Sequence, residues 1–160
     1  MSVSGFISRA AWREKDFLKW FCQTFRAKES MNDPVTLALV FVGGAGGSAI
    51  RWLVGIGVGE RYKGTFPLGT FLINVSGAFL MGFLSTLFNV DWRDRHGSNL
   101  TAFVLTGVLG GYTTFSSYQL DTANLYNKRT RGLAAFYWIG SVAAGLIAAA
   151  LGAITAKLFG

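Results

Sequence analysis

Cysteine and histidine occur once each in these 160 residues, as Cys22 and His96, and only 14% of the residues are charged. A lone cysteine excludes a disulfide within one chain, and one cysteine with one histidine excludes a paired Cys/His metal site. No nucleophile has a base within a credible constellation. His96 stands in the hydrophilic connector Asp91-Trp92-Arg93-Asp94-Arg95-His96 and reads as a solvated loop residue. No P-loop pattern is present. From Val35 to Gly59 there is no carboxylate, the group a proton-coupled cation antiporter of the small multidrug type needs in its first span. The chain does not read as an enzyme.

Apolar residues are abundant: 51% of the chain is hydrophobic and its mean hydropathy is +0.39. A soluble domain carries about 25% charged residues. The apolar residues form four long blocks, at about 34–59, 66–90, 99–126 and 133–159, each at least the roughly 20 residues that cross a bilayer core. The expected fold is therefore an all-α membrane protein with four transmembrane helices over residues 34–160. Asn32 or Asp33 can cap the first span, with Pro34 in its first turn.

Residues 1–33 are different. Phe17, Leu18, Phe21 and Phe25 share one helical face, while Arg13, Lys15, Lys19 and Arg26 occupy the rest. This fits a basic amphipathic helix on the membrane surface, or a disordered leader, rather than a signal peptide. Met31 offers a second translation start. Six of the fifteen basic residues fall in the first thirty, so the net charge of +7 points to membrane lipids with anionic headgroups rather than to nucleic acid.

Basic residues in the connectors are split. Arg93, Arg95 and Lys157 lie on the side of the termini. Arg61, Lys63, Lys128, Arg129 and Arg131 lie on the other side, with Arg51 near the end of the first span. The leader's charges reverse the sign of this small excess, as expected of a protein that inserts in both orientations. Gly43 and Gly47, and Gly107 and Gly111, are spaced four apart. Such pairs let helix backbones approach closely and favour an oligomer.

The most unusual segment is Gly110-Gly111-Tyr112-Thr113-Thr114-Phe115-Ser116-Ser117-Tyr118, which puts glycines and hydroxyls at the centre of an apolar block. Unpaired polar groups are expensive in hydrocarbon, so such a run belongs to a protein-lined path or an ion site. The double glycine suggests a break in the third helix. Its freed carbonyls could hold a hard cation, or the glycines could form a simple kink; the sequence does not choose. Phe115 and Tyr118 share a side, with Ser117 and Asp121 on a neighbouring line. Ring edges and neutral donors suit an anion that must leave as readily as it enters. Asn74 reads either as interhelical glue or as a polar group on the path. Tyr137, Ser141 and Gly145 share a face of the last span, and Arg51 is placed to draw anions.

Residues 34–159 resemble the Fluc (CrcB) fluoride channels of bacteria and archaea. The resemblance rests on Gly43-Gly44-Ala45-Gly46-Gly47 with Arg51-Trp52, Phe66-Pro67-Leu68-Gly69-Thr70 leading to Asn74, and Gly110 through Ser117. It implies a passive fluoride channel exporting the ion across the bacterial inner membrane, built as an antiparallel, dual-topology homodimer with a broken third helix. It also implies a fluoride pathway of Asn74, Phe115, Ser117, Tyr118, Asp121, Tyr137 and Ser141, with Arg51 in the vestibule. The carbonyls of Gly110 and Thr113 would hold a structural sodium ion at the dimer axis. Tyr118 replaces the family's usual phenylalanine, Asp121 a frequent glutamate, and Gly145 a second serine. The rival readings are the multidrug-type antiporter and a non-transporting helix scaffold.

Overall fold

The structure, a computed structural model, describes residues 33–87, 99–128 and 130–159. The expected leader helix with Phe17, Leu18, Phe21 and Phe25 lies outside the described residues, as do Cys22, His96 and the last three residues of the second apolar block. The chain divides into two units, Met1–Leu37 and Ala38–Gly160. Of the first, only the beginning of helix α1 (Pro34–Arg61) is described. There the Asp33 carbonyl accepts the Leu37 N–H at 3.1 Å, and the Thr36 hydroxyl donates to the Asp33 carboxylate at 3.3 Å. Asp33 thus occupies the cap position and Pro34 the first helical position, where its missing N–H is not needed.

The second unit is helical, with no strand among the described residues. Helix α2 is Leu68–Leu87, and α3 occupies residues 99–112. Within α3, Ala102–Leu109 is wound as a wide π-helix before the turn Gly110–Tyr112. Helix α4 is Phe115–Asn127 and α5 is Arg131–Phe159. Among the described residues, three helices are long and apolar enough to cross a membrane: Pro34–Arg61, Leu68–Leu87 and Arg131–Leu158. The chain is a multi-pass membrane protein. The third apolar block is divided instead: helix stops at Tyr112, Thr113 and Thr114 are extended (φ −76°, ψ 157° and φ −148°, ψ 117°), and helix resumes at Phe115. The two glycines stand before this interruption, within helical backbone.

Glycines set the helix crossings. A Cβ on Gly43 would lie 2.6 Å from the Phe103 carbonyl oxygen and 3.1 Å from the Gly107 Cα; one on Gly107 would meet the Val40 carbonyl at 3.0 Å. Gly47 faces Val108 and Tyr112, and Gly111 faces Gly44, all through backbone atoms. The two glycine pairs therefore face each other across α1 and α3, as small residues do where van der Waals packing drives association. Helices α2 and α5 cross in the same way, Gly82 against Ala149 and Gly152 against Phe79 and Phe83. A buried cluster of Tyr118, Leu125, Ala134 and Tyr137, flanked by Phe66, Phe71 and Leu133, joins α4 to α5.

Candidate functional site

The interruption before α4 is held from outside. The Asn74 side chain, on α2, donates from Nδ2 to the Thr114 carbonyl at 3.0 Å and accepts the Thr114 N–H on Oδ1 at 2.9 Å. In a continuous helix that N–H would bond the Gly110 carbonyl. One turn along α2, Gly77 leaves room for the Thr113 methyl, and the Thr113 hydroxyl turns back to the Leu109 carbonyl at 3.1 Å. Thr114 is buried, and its hydroxyl caps α4 by accepting the Ser117 N–H at 3.2 Å. The same oxygen lies 3.0 Å from Ser117 Oγ and 3.3 Å from Ser116 Oγ.

From this cap a row of rings runs inward. Phe115 and Tyr118 are tilted with centroids 5.9 Å apart, Tyr118 and Tyr137 stand 5.5 Å apart, and Phe66 meets Tyr137 edge to face at 5.4 Å. Phe115 is 71% exposed, whereas Tyr118 and Tyr137 are buried. The Tyr118 hydroxyl donates to the Trp138 carbonyl at 2.6 Å, so it is committed to α5 rather than free to serve an ion. On α5, the Tyr137 hydroxyl and Ser141 Oγ are both buried; neither has a hydrogen bond of good geometry, though the Thr70 side chain lies beside the Tyr137 hydroxyl. Leaving a buried donor unpaired costs about 1–3 kcal/mol, so two such hydroxyls one helical turn apart are chemically able to serve a hydrogen-bond acceptor.

A cleft of about 720 Å³ opens beside the cap, lined among others by Ser48, Arg51, Thr70, Ser116, Ser117 and Asp121. The Asp121 carboxylate accepts the Thr70 hydroxyl at 2.6 Å, and Ser48 Oγ donates to the Gly111 carbonyl at 3.4 Å. Arg51 is the cationic side chain of this lining. The residues expected on a pathway are thus brought together in two groups. Asn74, Phe115 and Ser117 stand at the interruption, Tyr118 and Tyr137 in the ring row, and Ser141 one turn beyond Tyr137 on α5. Arg51, Ser117 and Asp121 line the cleft. Gly110 is exposed, and Thr113 is part of the interruption itself. The sequence reading passed over Thr70 and Thr114 as individual residues. Thr70 precedes Asn74 by four positions, hence on the same face of α2, and that spacing was the available signal.

Neutral hydroxyls, an amide and ring edges, with one guanidinium in the neighbouring cleft, are groups that can attract a small anion without binding it irreversibly. Comparison with known proteins bears on which anion. The family model described as CrcB-like protein, Camphor Resistance (CrcB), matches residues 38–153. The fluoride-specific ion channel FluC 2 of Yersinia pseudotuberculosis serotype I is 62% identical over 114 residues, covering 71% of this chain and 90% of that protein. The fluoride-specific ion channel FluC 2 of Brucella abortus biovar 1 is 58% identical over 127 residues, covering 79% and 98% respectively. The fluoride-specific ion channel FluC of Agrobacterium fabrum is 41% identical over 114 residues, covering 71% and 90%.

Proposed function

The chain belongs to the CrcB-like family, and we propose that it is a passive fluoride channel through which the anion leaves the bacterial cytoplasm. It is a transporter rather than an enzyme. Hydrogen fluoride crosses bilayers as a neutral acid and dissociates inside, so a selective pore suffices to release the trapped anion. The observation that carries the reading is the 62% identity to a fluoride-specific ion channel over 90% of that protein; the buried Tyr137 and Ser141 hydroxyls fit it.

In this reading the two pieces on either side of Thr113-Thr114 form one broken third span, giving four crossings. Extended backbone inside a membrane needs partners, and Asn74 supplies both for Thr114. Fluoride enters past Arg51, meets the Ser117 hydroxyl and the Phe115 and Tyr118 edges, and passes Tyr137 and Ser141. Asp121, tied to Thr70, borders the path without occupying it. The working form is an antiparallel homodimer of dual topology in the inner membrane, consistent with the divided charge of the connectors. Gly110 and Thr113 would hold a sodium ion through their carbonyls. The Gly110 carbonyl has lost its helical donor to Asn74, and hard oxygen donors suit that cation. When bound, the ion would supply fixed positive charge beside the pathway.

Purified protein in potassium fluoride-loaded liposomes tests the assignment. Fluoride should empty rapidly once the potassium counter-current is provided, and chloride should be retained under the same conditions. Comparable release of the two anions would overturn it.

A further inference from the structure

The contacts of Asn74 have a use separate from donating to an ion. Both polar atoms of its carboxamide are engaged with one residue, Thr114, at 2.9 and 3.0 Å, in the pattern of a neighbouring strand. Thr114 is extended and buried, so its N–H cannot turn to water. Three positions along α2, on the same face, Gly77 takes the Thr113 methyl. Asn74 and Gly77 together form a seat on α2 for the two extended residues. Phe115 follows immediately, at the first position of α4.

We infer that Asn74 is a positioning residue: its amide holds Thr114 extended against α2 and so fixes Phe115 at the head of α4. The inference rests on the fluoride reading only in what Phe115 is positioned for; the clamp itself is independent of the ion. Of the Asn74 amide, one N–H is left over after both contacts, so positioning and donation to an ion are compatible in one side chain.

The test is backbone amide hydrogen exchange of residues 112–116 in lipid nanodiscs, measured alongside fluoride flux. In the unsubstituted protein the Thr114 amide should be protected; rapid exchange there overturns the inference whatever the variants do. Asn74→Ser removes both contacts and should raise exchange at Thr114 on the order of tenfold or more, as loss of a buried hydrogen bond entails. The α2–α5 crossing at Gly82 and Gly152 should keep its protection. Asn74→Asp keeps an acceptor for the N–H and loses the donor, so its exchange should fall between the two, and it serves if the serine variant does not assemble. Phe115→Ile is the opposite control, with the clamp intact and Thr114 still protected. Flux lost in Asn74→Ser with Thr114 exchange unchanged would make Asn74 a donor to the ion and no clamp. An unsubstituted protein that passes no fluoride would undo the functional reading and leave the exchange result standing.

Discussion

Phe115 and Tyr118 belong to one ring pair but answer to different forces. Phe115 is 71% exposed in the chain, so its removal uncovers little packed surface. Phe115→Ile should therefore leave folding and assembly intact on gel filtration while abolishing fluoride flux, because the edge of the ring is lost. Retained flux would assign Phe115 to packing alone. Tyr118 is buried, and its hydroxyl is spent on the Trp138 carbonyl at 2.6 Å. Tyr118→Phe keeps the ring and deletes that tether, which is worth about 0.5–1.5 kcal/mol. Flux should persist with a modest fall in thermal stability; loss of flux would show the hydroxyl to be an essential donor. At this scale the sequence was informative where chemistry is local. Asn74, Tyr137 and Ser141 stood out as polar groups in apolar helices, and Phe115 only through the glycines and hydroxyls beside it. The destination of the Tyr118 hydroxyl did not, because a contact with a backbone carbonyl twenty positions away leaves no mark on composition or spacing.

Among the helices, the glycine spacing was the most legible signal. Pairs four apart share a face, and the structure sets Gly43 against Gly107, Gly47 against the Val108 and Tyr112 backbone, and Gly111 against Gly44. The span limits were legible to within about two residues for α1 and α5, since long apolar runs leave few alternatives in a membrane. The double glycine and the threonines after it pointed to an interruption of the third block, with a simple kink as the alternative, but not to the residue. The glycines drew attention to Gly110-Gly111, whereas the extended residues are Thr113 and Thr114, because the partner that accepts them, Asn74, lies on another helix. A direct check of the crossing compares two glycines. A Cβ on Gly47 would run into the backbone of Val108 and lie 2.9 Å from the Tyr112 nitrogen, so Gly47→Ala must push α1 from α3. Overpacking of this kind costs about 1–3 kcal/mol. Gly132, in the first turn of α5, has nothing within 4 Å of that position, and Gly132→Ala gains helix propensity of up to about 1 kcal/mol. Thermal unfolding in detergent should fall by several degrees for the first and hold or rise for the second. Equal behaviour of the two would mean that α1 and α3 do not depend on close approach.

For the molecule as a whole, the connector charges give a handle on the proposed antiparallel pair. Orientation follows the lysine and arginine balance close to the span ends; within about 15 residues of them the leader adds only Lys19, Arg26 and Lys28 to the side of the termini, which makes the balance even when Arg51 is counted on the other side. A nearly even balance is sensitive to one or two charges. Thr65 and Asn127 are exposed on connectors of one side, as are Lys63 and Lys128. Thr65→Lys with Asn127→Lys should fix one orientation, and Lys63→Gln with Lys128→Gln the other. If the working form is an antiparallel pair, neither double variant can build it alone. Nor would either bring Gly110 and Thr113 carbonyls from two opposed chains around one sodium ion. Each expressed singly should then show little flux and no rise in thermal stability when sodium replaces lithium or potassium. Expressed together they should regain both properties, since each supplies the orientation the other lacks. Full activity from either variant alone would establish a parallel pair or a working monomer. Recovery of flux without the sodium response would keep the antiparallel pair and remove the ion from its axis.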